Sequence, residues 1–304
     1  MELRQLTTFC VVAADLSFTR AAEALNYAQS SVTAQILSLE EELGTKLFER
    51  LGKRVSLTDA GRRLLPYAER LLRLAEEARD AAQGDEEPSG TLHIGSPESL
   101  CVYRLMPVLS QFRSRFPQVH VTFRPGFCAD LRRELQEGRL DICFLLEPPL
   151  HTVGLIIEPL VPESLLLLTF PGHPLTTLDR VDPARLAGEP LLLTEVGCSY
   201  RVPFERTLAQ AGARPGAVLE FGSIEAIKHC VMAGMGITFL PAITVTSELA
   251  QGRLVALPWT GGDYGLITQM AVHKDKWLSP ALRAFLDLSR SVLGTAHEQI
   301  AAAG

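Results

Sequence analysis

The chain has 304 residues, 47% hydrophobic and 21% charged, which is too long for one average domain and too apolar for disorder, so two or three compact units are expected. A formal net charge of -6 excludes indiscriminate coating of nucleic acid, because that needs cations over the whole surface; any DNA contact must come from a local basic patch. The six cysteines form no CxxC pair and the seven histidines show no ligand spacing, so the expectation is reduced thiols, no metal and no cofactor. The N-terminus MELRQLTTF lacks the apolar core of a signal peptide and no stretch of eighteen apolar residues follows, which points to a cytoplasmic protein without a membrane partner.

Leu3, Leu6, Phe9 and Ala13 recur at three- and four-residue spacing and line one face of a first helix that ends near Leu16. Ser17 reads as the N-cap of a second helix over about 18–25, where Ala21 and Ala22 allow close helix approach, and Asn26 suits a tight turn. A third helix over about 29–43 puts Val32, Ile36, Leu39 and Leu43 on one stripe and Ser30, Thr33, Ala34 and Leu37 on the other. Short polar side chains at the start of such a helix permit close approach to a major groove, with Gln29, Ser30, Thr33 and Gln35 as candidates; a helical hairpin with a solvated polar face fits the same periodicity. Residues 46–63 then carry an excess of four positive charges, with Lys46, Arg50, Lys53, Arg54, Arg62 and Arg63 set against Glu49 and Asp59. Cations there can hold phosphates beside a groove. Gly52 permits a turn and Arg54-Val55-Ser56-Leu57 alternates as a short strand, so the segment reads as a winged hairpin.

The runs FTRAAEALNYAQSSVTAQI (18–36) and LEEELGTKLFERLGKRVSLTDAG (39–61) resemble the winged helix-turn-helix of LysR-type transcriptional regulators. The resemblance implies that Arg20, Gln29, Ser30, Ser31, Thr33, Gln35, Arg50, Lys53 and Arg54 lie at or near double-stranded DNA. Ser30 stands where many members have proline, and Ala34 where many have a larger polar or basic residue.

From Thr58, a good N-cap, a helical pattern runs to about Gln83 and Gly84, and Asp85 to Gly90 then form a hinge. Leu64, Ala68, Leu71, Ala75, Ala78 and Ala82 repeat as an a/d seam, with Pro66 expected to kink the first turns. Such a seam pairs with a second helix or packs on its own domain. The resemblance implies homodimers, often joined into homotetramers, that present two reading helices to a roughly palindromic site, with RNA polymerase as a possible further partner.

After Gly90, apolar runs alternate with amphipathic helices: TLHIGS, VHVTFRPG and LDICFLLE, then LLLLTF, PLLLTEV, AVLEFGS and GITFLPA, and finally LITQMAVHK. This predicts parallel sheets with helices on their faces. The resemblance implies an α/β two-lobed domain like the type 2 periplasmic binding proteins, with lobe I over about 91–162 and 267–304 and lobe II over about 163–266, following a winged domain at 1–58, a linker helix at 59–84 and a hinge at 85–90. Ligands of such sheets bind where loops leave the carboxyl ends of strands. Three loops qualify, and they offer Ser96, Glu98, Ser99 and Arg104; Gly126 and Cys128; and Cys198, Ser199, Tyr200 and Arg201. Hydroxyls, helix starts and arginines favour an anionic metabolite, whereas Glu98 either pairs with Arg104 or Arg201 or selects an amine. Helix capping explains any single serine equally well.

Cys198 beside a helix start and Arg201 raises a redox alternative. The reactive cysteine of peroxide-sensing members falls on Ser199 here, and no partner cysteine follows within the next helix. A solute-binding role would not use residues 1–60, and no nucleophile with an acid/base pair can be assembled. The sequence therefore reads as a regulator whose operator binding is modulated by a small molecule, not as an enzyme.

Overall fold

The computed structural model describes residues 1–51, 54–83 and 87–303. Gly52 and Lys53 of the expected hairpin turn, and Gly84, Asp85 and Glu86 of the expected helix end and hinge, lie outside the described residues, as does the side chain of Arg50. The chain divides into two units, Met1–Glu86 with Glu137–Arg139, and Glu87–Gln136 with Leu140–Gly304.

In the first unit, α1 (Leu3–Asp15), α2 (Phe18–Leu25) and α3 (Gln29–Leu43) precede a hairpin of β1 (Phe48–Leu51) and β2 (Arg54–Leu57) and then the long α4 (Asp59–Gln83). Ser17 caps α2 by accepting from the Arg20 N–H, and Asn26 ends that helix in the left-handed region at φ 54°. Ala21 and Ala22 are buried, which lets α1 and α3 close on α2. Leu6, Phe9, Val12, Val32, Ile36 and Leu39 fill the core, and the rings of Phe9 and Phe18 meet that of Phe48 at 5.5 and 5.7 Å. Two expected stripe residues differ: Leu3 and Leu43 are exposed, because each stands in the end turn of its helix.

Glu40 takes the inward position in the last turns of α3. Its carboxylate is 6% exposed and accepts from the Leu47 and Phe48 N–H groups at 2.9 and 3.3 Å and from Lys46 Nζ at 2.7 Å. One buried side chain therefore ties the start of β1 to α3. Thr58 caps α4 by accepting from the Gly61 N–H at 3.0 Å, and a Cβ at Gly61 would collide with the Leu47 carbonyl oxygen, so the closeness of α4 to the wing requires glycine there.

In the second unit, β3 (Gly90–Ser96) leads through α5 (Glu98–Leu100) and a π turn (Cys101–Leu105) into α6 (Met106–Arg115). There follow β4 (Val119–Pro125), α7 (Cys128–Gln136), β5 (Ile142–Glu147) and β6 (Leu155–Pro162). The chain then builds β7 (Leu165–Thr169), β8 (Pro190–Thr194), α8 (Arg201–Gln210), β9 (Ala217–Phe221), α9 (Ile224–Met232), β10 (Ile237–Pro241), α10 (Thr246–Ala250) and β11 (Val255–Leu257). It closes with β12 (Ile267–His273) and α11 (Pro280–Ala303). The strands form two five-stranded sheets, ordered β4-β3-β5-β12-β6 in lobe I and β11-β7-β10-β8-β9 in lobe II.

Both sheets are mixed, a departure from the parallel arrangement expected. Strand β12 runs antiparallel to both β5 and β6, and β7 antiparallel to β10 and β11. The cause is the crossover topology: a strand that enters a lobe from its neighbour arrives opposite in direction to the strands that lobe built by helical crossovers. Helices cover both faces, so β5 and β10 are buried along their whole length. Phe112, Phe144 and Phe285 pack edge to face in lobe I, while Phe204 stacks on Phe239 at 4.5 Å in lobe II.

Glu40→Ala leaves the Leu47 and Phe48 amides without their acceptor, a loss of about 1–3 kcal/mol. The expected outcome is hydrogen exchange at those two amides roughly 10- to 100-fold faster at unchanged rates in β5 and β10; equal rates in variant and parent would show that the carboxylate does not hold the wing.

Candidate functional site

The first turn of α3 begins at Ala28, which supplies no side-chain cap, and Gln29, Ser30 and Ser31 stand exposed there. Thr33 is half-buried. Gln35 is half-buried too, because its Oε1 accepts from the buried Thr8 hydroxyl at 2.7 Å; this fixes α3 on α1 and leaves the amide nitrogen as the free end. The exposed Arg20 donates to the Asp15 carbonyl, Arg54 is exposed at the start of β2, and Arg62 donates to the Leu57 carbonyl at 2.7 Å while pairing with Asp59. Tyr27, exposed just ahead of α3, belongs to the same surface and was not singled out; an aromatic residue in a turn was its only sequence signal.

The seam expected on α4 divides. Ala68 is 0% exposed and Leu64 half-buried, both packed with Leu65 and Leu72 into the unit's own core against α1. Ala75 is half-buried and Ala78 exposed. Leu71 of the expected seam is open at 38% exposure, and with Tyr67 at 65% and Leu74 at 59% it forms the exposed apolar stripe. These three are spaced four and three apart, as one helix face requires.

In the second unit, a cavity of about 450 Å³ opens where loops leave the carboxyl ends of β3, β4, β8 and β9. Of the ten residues expected at the effector, seven line it: Glu98 and Ser99 after β3, Gly126 and Cys128 after β4, and Cys198, Ser199 and Tyr200 after β8. Gly197 turns the last of these loops at φ +106°, a conformation that favours glycine. Phe127 and Glu195, which belong to the second and third of the expected loops, and Leu146, Phe221 and Ile224, which none of the expected loops contained, complete much of the wall. Across the cavity the Ser199 hydroxyl of lobe II donates to the Leu146 carbonyl of lobe I.

Three of the ten lie outside the wall. Ser96 is fully buried and donates to the Pro97 carbonyl at 3.0 Å. Arg201 is buried and bonds the Thr194 carbonyl, Glu205 at 2.9 Å and Glu220 at 2.6 Å, so it fixes the loop after β8 from behind. Burial opposes its charge, but these two carboxylates outweigh that and raise its pKa further. Arg104 forms a fork with Glu163, at 2.9 and 2.7 Å. The two arginines that made an anionic ligand attractive are thus committed elsewhere.

Burial, reinforced by Glu147, pushes the Cys128 thiol up to about 12, and burial pushes Tyr200 well above the usual phenol range. The π turn also sends Tyr103 across to lobe II, where its hydroxyl donates to Glu225 and accepts from Lys228 Nζ at 3.1 Å. Lys228 is buried but charged: desolvation pulls its pKa down, and Glu225 at 2.6 Å, Tyr103 and Glu248 at 3.1 Å more than reverse that.

Glu163 sits between β6 and β7, where the chain first crosses between lobes. Its N–H donates to the Leu266 carbonyl at 2.9 Å and its carboxylate accepts from Thr268 at 2.7 Å, both on the returning crossover. The Arg104–Glu163 pair is almost wholly buried, at 10% and 3% side-chain exposure. Glu163→Gln strands a buried guanidinium and is expected to destabilise this unit by about 3–5 kcal/mol, whereas Arg104→Met with Glu163→Met restores most of the loss. Denaturant unfolding followed through the fluorescence of the C-terminal unit checks this; a double variant no better than the single would refute it.

Residues 3–62 match the family described as "Bacterial regulatory helix-turn-helix protein, lysR family", and residues 85–294 match "LysR substrate binding domain". The chain is 48% identical over 291 residues to the uncharacterized HTH-type transcriptional regulator YwqM of Bacillus subtilis, covering 95% of this chain and 99% of that protein. It is 34% identical to the HTH-type transcriptional regulator GltR of the same organism, covering 94% and 95%. Among solved structures it is similar to a full-length OxyR variant from Pseudomonas aeruginosa, with TM-score 0.72, 26% identity and coverage of 96% and 94%. It is also similar to full-length CbnR complexed with its target DNA, with TM-score 0.70, 26% identity and coverage of 96% and 100%.

Proposed function

The chain belongs to the LysR family, a DNA-binding transcriptional regulator with an effector-binding domain, and from that premise we propose which surfaces do each task. The first turn of α3, with Gln29, Ser30, Ser31 and Thr33, reads base edges, while Arg20, Arg50, Lys53 and Arg54 hold phosphates. Gln35 contributes through its amide nitrogen only, its oxygen being held by Thr8. The cavity between the lobes receives a small-molecule effector. What carries the reading is the presence in one chain of an uncapped, polar, exposed helix start beside a cationic hairpin, and of a cleft of about 450 Å³ walled by two lobes.

A second copy of the chain pairs along the open stripe of α4, so that Tyr67, Leu71 and Leu74 are covered and two reading helices face one palindromic site. Leu64 and Ala68 support that helix from within rather than forming the interface. Dimers of dimers and a contact with RNA polymerase extend the same reading, as does a cytoplasmic location for a DNA-binding protein; among the described residues no helix is long and apolar enough to cross a membrane. The chain acts by binding, as the regulators named among its relatives suggest, and not by turnover. The thiol-redox alternative has less support, because Ser199 occupies the position expected of the reactive cysteine and Cys128 is held protonated by burial.

Effector binding switches the regulator only if it favours one arrangement of the lobes over another. Ser199–Leu146 and Tyr103–Lys228 join the lobes at the cleft and are the contacts whose energies differ between arrangements.

Ser30→Ala and Thr33→Ala are expected to weaken the preferred operator while leaving random duplex unchanged, and Arg54→Ala to weaken both and lower the salt slope by about one unit. Fluorescence anisotropy over a salt series measures both effects; identical curves for all three variants would remove the surface assignment. Leu71→Glu combined with Leu74→Glu is expected to give monomers in analytical ultracentrifugation and to lose operator affinity, and an unchanged sedimentation coefficient would show that α4 does not pair by this stripe.

A further inference from the structure

We propose that the effector of this regulator is a small organic cation, an apolar body carrying a protonated amine or guanidinium, held between Glu98 of lobe I and Glu195 of lobe II. The inference rests on the cleft being the effector site and concerns the chemistry the cleft selects. Among the described residues, Glu98 and Glu195 are the only acidic or basic residues of the Asp, Glu, Lys, Arg and His types in the cavity wall, and both are carboxylates. Neither has an ion pair or hydrogen bond among the described residues. The arginines near them in sequence cannot neutralise them: Arg104 is forked onto Glu163, and Arg201 is shared between Glu205 and Glu220.

Ser99 adds an independent observation. It is only 4% exposed, lines the cavity beside Glu98, and its hydroxyl has no hydrogen-bond partner among the described residues. A hydroxyl so enclosed, lining the cavity and without a protein partner, is free to bond a molecule bound there. The remaining wall is mostly apolar, with Phe127, Leu146, Phe221 and Ile224 facing the same space. Apolar walls with few polar groups bind the body of a ligand and orient its polar head. The head that two unpaired carboxylates and one hydroxyl accept is a hydrogen-bond donor with positive charge. A carboxylate ligand would meet two like charges and no cation.

The placement also supplies the differential energy that switching needs. One carboxylate stands after β3 in lobe I and the other after β8 in lobe II, so a cation bound to both draws the two walls together.

The test uses the full-length protein and calorimetric titration with matched pairs of one skeleton: 2-phenylethylamine against 3-phenylpropionate, and butylguanidine against the uncharged butylurea. The expected result is that amines or guanidines bind at least about tenfold more tightly than their partners, and that Glu98→Gln and Glu195→Gln each weaken this by about tenfold. Both carboxylates are exposed, so the glutamine variants keep the fold, which circular dichroism checks. Preference for the carboxylate, equal affinity in the glutamine variants, or no heat from any cation at millimolar concentration would each overturn the proposal. Operator affinity measured in parallel separates the two readings: cation binding that leaves operator binding unaltered counts against the regulatory role of the cleft while upholding its charge preference.

Discussion

The C-terminal domain depends on a single buried carboxylate. Ser199 and Tyr103 join the two lobes at the cleft, and Glu163 ties their two chain crossings to each other: its backbone holds the returning strand at Leu266, and its carboxylate holds Thr268 and Arg104. A buried ion pair does not in general stabilise a fold more than well-packed apolar groups do, because desolvation offsets the attraction. What it contributes is direction. The fork of Arg104 fits a carboxylate in one plane, so the first crossover, the second crossover and the π turn after β3 are held in one relative geometry.

That π turn links the crossovers to the cleft. Within Cys101–Leu105, Tyr103 and Arg104 are sequence neighbours, yet one reaches the Glu225–Lys228 pair of lobe II and the other the crossover at Glu163. Glu98 and Ser99 begin the same segment at the cavity wall. A ligand drawn to Glu98 therefore pulls on a short element whose other side chains already grip both the crossover at Glu163 and the opposite lobe. No long pathway of side chains is needed for a ligand to bias the lobes.

Much of this was legible in the sequence where a residue type has one physical use. Ser17 as a cap, Asn26 as a left-handed turn, the buried stripe of Leu6, Phe9 and Ala13, and the apolar runs that became β5 and β10 all follow from local chemistry. The loops that line the cavity were legible because they leave the carboxyl ends of strands, where ligands of such sheets bind. What the sequence hid was partnership. Arg104 and Arg201 look like ligand anchors until Glu163, Glu205 and Glu220 are brought to them, and only one of these three, Glu205, lies within a helical turn of its arginine. The α4 seam misled similarly: a heptad pattern states which residues share a face and not which neighbour covers it, and α1 claims Leu64 and Ala68.

The contrast between an acidic chain and a basic hairpin also has a physical resolution. At physiological salt, screening limits a charge to about 8 Å, so the excess of four positive charges in residues 46–63 acts on the phosphates it touches, whatever the net charge of -6 of the chain as a whole. The acidic remainder acts on DNA only when another face of the protein comes equally near, and there it repels. In the docking proposed above, an acidic body narrows the ways a duplex can approach without weakening the proposed reading face, and it leaves the polar first turn of α3, rather than bulk attraction, to decide where the protein binds.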